Sequence, residues 1–230
     1  MTANEISEAI GLTHQIIDRF VEDFSDEQET DSSFGDWNVR DTLVHITAWL
    51  QYSRDVLKAI RAGSEIPNAG DIAAFNRSVY AEAASVSLQD AHDQLHAALT
   101  EYDNLMQEFD AADLDRREYQ TGFDYESWRY MLLDTVVHPV QHVLYHSLKH
   151  RHFKLFAEVL QHSGALMCRY SNDDLSVFDF SEFTDHPRQL QHRFTELSAA
   201  INSDEILGDD LLRQVVQRHT DASLDRIIQG

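Results

Sequence analysis

Residues Trp128–His152 read WRYMLLDTVVHPVQHVLYHSLKHRH. Apolar residues recur through the stretch at spacings of three and four, which predicts a long helix over about 126–150. Five of the thirteen histidines fall in it: His138, His142, His146, His150 and His152. The first four are spaced by four, so on a helix they stack one turn above the next along one face. Two imidazoles on adjacent turns can reach one metal ion. On a helical wheel centred on His142, the apolar arc (Leu132, Val136, Val137, Val140, Val143, Leu144) centres roughly 160° away. The histidine side, shared with Trp128, Met131, Thr135 and Lys149, is mixed. Pro139 removes a backbone donor and predicts a kink or restart between His138 and His142. His146, His150 and His152 read as solvated or helix-end residues.

Outward from this stretch the chain keeps the helical period. Ile6, Ile10, Thr13, Ile17, Phe20, Val21 and Phe24 predict an amphipathic helix over about 3–24, followed by a polar, acidic loop over 25–36. Asn38 reads as the cap of a second helix, about 39–62, with Asp41 at its third position and Gly63 as its stop. On that helix His45 lies in the arc of Asp41, Trp49, Tyr52 and Val56, the side that the wheel assigns to the interior. Residues 64–70 read as a turn and 71–84 as a helix. The stripe from Leu88 to Phe109 predicts a third long helix over about 87–109, with an acidic loop over 110–124. His92 and His96 sit on a polar face of it and read as exposed. Residues 153–170 form one more helical segment, weakened at Gly164. A composition shift begins at Ser171. The run to Phe183 reads as irregular, and two short helices follow at about 187–202 and 209–228. The expected architecture is all-α: a four-helix bundle in 1–170 with a C-terminal helical annex in 171–230.

Composition narrows the functional classes. The chain has 230 residues, 43% hydrophobic, with few glycines (8) and prolines (3), a balance suited to long helices. Its formal charge is −22, and only three of its cations are lysines. Such a surface repels nucleic acid and anionic membrane. Cys168 is the single cysteine. It excludes an intrachain disulfide and a cysteine-based metal site, and reads as a buried structural thiol. The N-terminus lacks the basic start and apolar run of a signal peptide, and no run approaches the length of a membrane span. A soluble, cytoplasmic protein is expected. No GxSxG, CxxC or phosphate-binding glycine loop occurs. Chemistry therefore points to His45, His138 and His142: three neutral imidazoles on two facing helices, suited to Zn²⁺, Ni²⁺ or Fe²⁺, with positions left open for water or substrate. Trp49 and Tyr52, one and two turns beyond His45, would line a pocket mouth, and Asp41 would orient an imidazole.

WNVRDTLVHITAW (Trp37–Trp49) resembles the W-S/T-V-x-D-x-L-x-H-x-x-x-W signature of the DinB/YfiT-like superfamily. AAFNRSVYAEAASVSLQDAHDQLHAALTEY (Ala73–Tyr102), with its Phe75–Asn76 pair, resembles the ClbS/DfsB-type branch, as does HPVQHVLYHSLKHRHFKLFAEVLQ (His138–Gln161). The resemblance covers roughly residues 1–165 and implies a four-helix bundle, often dimeric. Many members of that superfamily hold a divalent metal through one histidine on the second helix and two ligands on the fourth. By motif those positions are His45, His138 and His142 here. Members of the ClbS/DfsB branch often lack the complete triad. The resemblance adds Asn76 to the pocket and leaves two functional classes open. One is a metal-dependent hydrolase or thiol transferase acting on a small electrophilic molecule. The other is a metal-free small-molecule binding or self-protection protein. A homodimer is expected from the resemblance and from the near all-round burial implied for the central helix.

Overall fold

The three-to-four apolar spacing closes into helix in all four long segments. The computed structural model describes residues 1–24, 37–116, 126–172, 174–184 and 186–228. The loop expected over 25–36 lies outside them, as does most of the one expected over 110–124. The elements run α1 (Ala3–Phe24), α2 (Val39–Ala62), α3 (Ile72–Ala83), α4 (Leu88–Met106), α5 (Ala111–Asp115) and α6 (Ser127–Leu132). A π-helical turn (Leu133–Val137) then leads into α7 (His138–Lys149) and α8 (Phe153–Tyr170). Two 3₁₀ turns (Leu175–Phe178, Ser181–Phe183), α9 (Pro187–Asn202) and α10 (Asp210–Ile228) complete the chain. The protein is all-α, with no strand among the described residues.

By compactness the described chain divides into two units, the first ending at Pro139 and the second beginning at Val140. In the first, α2 packs on α4 and α3, while α1 packs on α4 and the π turn. Ile10, Ile17 and Phe20 of α1, Leu43, Ile46 and Leu50 of α2, and Leu95, Leu99 and Met106 of α4 are all at most 1% exposed. Each such side chain contributes about 1.5–3 kcal/mol by leaving water. Ion pairs Arg54–Glu101 and Arg61–Glu108 join α2 to α4 on the outside. Being partly solvated, they contribute little beside the apolar seam.

Helix ends follow local chemistry. The Asn38 side chain accepts the Asp41 N–H at 2.9 Å, and the Asp41 carboxylate accepts the Asn38 N–H at 3.3 Å, a complete capping box. Gly63 closes α2 in the left-handed region at φ 62°, where a residue without Cβ carries no penalty. A second capping box, Asp110 with Asp113, turns part of the expected 110–124 loop into α5. The stripe read to Phe109 ends as α-helix at Met106, and Phe109 N–H bonds the Met106 carbonyl in a turn.

The second unit is built from aromatic packing. Residues 175–183, expected as irregular, form the two 3₁₀ turns. Phe178 and Phe180 from this run join Phe156 and Phe194, all 0% exposed. Phe194 stacks on His219 at 4.1 Å and 7°, and the His219 Nε2–H donates to the Phe178 carbonyl at 2.8 Å. Gly164, the weak point of α8, admits the side chain of Leu211 from α10: a Cβ there would meet its Cδ2 at 2.4 Å. Close helix approach explains that glycine. Cys168 is half-buried rather than fully buried, because it lies off the α8 stripe of Phe156, Leu160 and Met167 that fills the core. No helix among the described residues is long and apolar enough to cross a membrane.

Candidate metal centre

His45 stands two turns into α2, on a face set by the capping box, and is 5% exposed. The ring of Trp37, just before the cap, meets it edge-on at 4.4 Å and 72°. His138 reaches the same place from the other side of the helix packing. Pro139 cannot donate to Thr135, and in a regular α-helix its ring would crowd that carbonyl. The backbone answers with one residue of slack: residues 133–137 take the wider π turn, and His138 N–H bonds the Leu133 carbonyl five residues back. The sequence predicts the disturbance between His138 and His142; it lies one turn earlier, where the carbonyl is displaced.

The two imidazoles face each other through Nε2, 3.1 Å apart, with ring planes at 76°. His142 is one turn further along α7, and the ligand atoms of all three lie within 4.8 Å of one another. Desolvation pushes His45 down to about 2, helped by repulsion from His138. Burial pushes His138 down to about 4. Both rings are therefore neutral near pH 7 and carry a lone pair each. Nitrogens bound at about 2.0–2.1 Å to one tetrahedral ion stand about 3.3 Å apart. Three imidazoles at these separations, two of them held neutral by burial, fit a divalent first-row ion with small rotamer adjustments.

The wheel placed the histidine side of α7 away from the apolar arc, yet His142 and His146 are 6% and 1% exposed. Packing explains His142: Phe183, from the 3₁₀ turn, meets its ring edge-on at 4.7 Å and stacks on Tyr145 at 5.5 Å. His146 is thus buried rather than solvated, and desolvation holds it well below the usual imidazole range, aided by Lys149 and His150. His150 and His152 are half-buried near the helix end.

The expected pocket residues occupy α2 and α3. Trp49 is one turn from His45 with ring centroids 6.4 Å apart, and its Nε1–H donates to Asn76 Oδ1 at 3.0 Å. Tyr52 packs against Trp49 at 5.6 Å, and its hydroxyl donates to the Pro67 carbonyl at 3.0 Å. The carboxylate of Asp41 is engaged by Asn38 and by Arg40, at 2.8 Å. Sequence reading left out Trp37 and Tyr80, which stack at 6.1 Å, and gave no role to Phe75, which packs on Trp49 at 4.8 Å. Trp37 and Phe75 stood in the quoted motifs; Tyr80 gave no signal beyond its type.

The first unit also holds a buried polar cluster that sequence reading missed. The hydroxyls of Ser53 and Tyr102 are 3.0 Å apart. Desolvation raises Asp134, on the π turn, to about 7, although a hydrogen bond from Ser53 opposes the shift. Tyr102 and Tyr130 are also raised, by desolvation first and by Asp134 second. In a chain with forty acidic residues, one more aspartate is no signal.

A profile of the DinB superfamily matches residues 9–153, more than half of the chain. No curated protein and no solved structure matches it.

Proposed function

Because the chain belongs to the DinB superfamily, we propose that it holds one divalent metal ion through His45, His138 and His142 and acts on a small electrophilic molecule. One observation carries the reading: three imidazoles whose ligand atoms lie within 4.8 Å of one another. Zn²⁺, Ni²⁺ or Fe²⁺ suits an all-nitrogen set. Bound there, such an ion supplies Lewis acidity, and the reaction class is hydrolysis or thiol transfer. Trp37, Trp49, Phe75 and Asn76 form an aromatic wall with one amide, suited to a small, partly apolar substrate. The ClbS/DfsB-type motifs favour that branch. The protein is proposed to be cytoplasmic and homodimeric, and light scattering should then give twice the 26.5 kDa chain mass.

The aromatic wall includes no metal ligand and favours a second reading, a metal-free binding or self-protection protein. Elemental analysis of untagged protein separates the two. The metal reading expects one equivalent lost in His45→Ala, with loss of turnover on small electrophiles and an unchanged helical spectrum. Protein that takes up no metal from Zn²⁺, Ni²⁺ or Fe²⁺, or a His45→Ala variant that binds as wild type does, overturns it.

A further inference from the structure

A second constellation lies within the first unit, on the seam between α1 and α4. His14 and Asp18 stand one turn apart on α1; His92 and His96 stand one turn apart on α4. Sequence reading treated His92 and His96 as exposed. Instead, the side chains of His92 and His96 are 19% and 25% exposed. Helix packing has gathered all four groups.

The geometry centres on one oxygen. Asp18 Oδ1 accepts from His92 Nε2 at 2.9 Å. Nε2 of His96 lies 3.0 Å from the same oxygen. Two imidazole nitrogens from one helix thus converge on a single carboxylate oxygen of its neighbour. The ligand atoms of Asp18, His92 and His96 all lie within 4.8 Å of one another. On its far side, His96 Nδ1 meets His14 Nδ1 at 2.6 Å, so one ring donates and the other accepts. Asp93 lies further off, 3.6 Å from His92 Nδ1.

We propose that Asp18, His92 and His96 form a second metal site, which takes a divalent first-row transition ion such as Zn²⁺ and is oriented by His14. Two imidazoles four apart on one helix and a carboxylate from its neighbour make an N₂O set. Imidazole nitrogen selects Zn²⁺, Ni²⁺ or Cu²⁺ over Mg²⁺ and Ca²⁺, which prefer oxygen. Asp18, with a side chain 54% exposed, leaves the remaining positions open to water. When His96 ligates through Nε2, its Nδ1–H donates to His14 Nδ1, which fixes both tautomers; metal-bound histidines commonly have such a partner. Burial holds both His14 and His96 below the ordinary imidazole range, which favours neutral rings. The ion would clip α1 to α4. This site needs none of the residues assigned to the first.

Full-length untagged protein, stripped with chelator and titrated with Zn²⁺ by calorimetry and elemental analysis, tests the site. Two equivalents are expected in the wild type. His96→Ala and Asp18→Asn should each lose one equivalent, while His45→Ala loses the other. His14→Ala should keep both and weaken one by about 10–100-fold. Zn²⁺ should also raise the melting temperature of His45→Ala and leave that of the His45→Ala/His96→Ala double variant unchanged. Circular dichroism confirms that each variant is folded. Stoichiometry unchanged in both His96→Ala and Asp18→Asn, or a single equivalent lost only in His45→Ala, overturns the second site and leaves the first standing. A single equivalent lost in His96→Ala and kept in His45→Ala does the reverse. Unchanged affinity in His14→Ala removes the role given to that residue.

Discussion

Asp134 shows how strongly a single residue here is governed by its surroundings. Its carboxyl is raised from the ordinary range to about 7 by desolvation. Between about pH 4 and 7 the unfolded chain has lost this proton while the folded chain keeps it. The folded state then binds more protons, so this group's contribution to stability falls as pH rises across that window and is level above it. The buried histidines act in the opposite sense. Their folded pKa values are depressed, and they withdraw stability as pH falls through the imidazole range. The difference between wild type and Asp134→Asn isolates the carboxyl. Urea unfolding at pH 5 and pH 8 should show the variant gaining on the wild type by roughly 2–3 kcal/mol at the higher pH. A pH-independent difference would mean that Asp134 is ionised in the fold. At this scale the sequence was legible where spacing constrains chemistry. His45, His138 and His142 could be picked out by motif and helical period. Asp134, His146 and the His14–His96 pair could not, because burial and pairing of single polar residues depend on which helix lies opposite.

Elements were more legible than residues. Capping chemistry is local, so Asn38, Asp41 and Gly63 marked both ends of α2 without any tertiary information. Asn38→Ala should therefore lower stability by about 1 kcal/mol in thermal or urea unfolding. It should leave metal stoichiometry unchanged if Asp41 serves chiefly the helix end. Loss of metal from this variant would show that the capping box also holds His45 in place. The acidic run after Phe109 hid α5, since Asp110 and Asp113 are as ordinary in a loop as in a capping box. Phe178 and Phe180 hid among acids in a run without helical period. Their burial depends on 3₁₀ turns, whose three-residue repeat is too short to leave a pattern.

The molecule as a whole carries a charge of −22 on 230 residues. Exposed pairs such as Arg54–Glu101 neutralise only part of it, and self-repulsion disfavours the compact state. Added sodium chloride screens charges more than about 10 Å apart near 0.1 M. The melting temperature should rise between 20 mM and 500 mM salt, as scanning calorimetry can determine; a flat response would show that the acids are already compensated. The all-α class and the long helices followed from composition and period. The division after Pro139 did not, because compactness depends on long-range packing that no local window contains.

The π turn before His138 has a consequence for chain length. It is one residue longer than a regular helix needs, the signature of an insertion absorbed without moving its flanks. Deleting one residue between Leu133 and Val137 would restore an even ladder with the flanking turns in place, and would bring the Pro139 ring back against the carbonyl one turn before it. Alignments to relatives should carry a gap here rather than a mismatch, and engineered variants should hold the length of this stretch fixed while varying its letters.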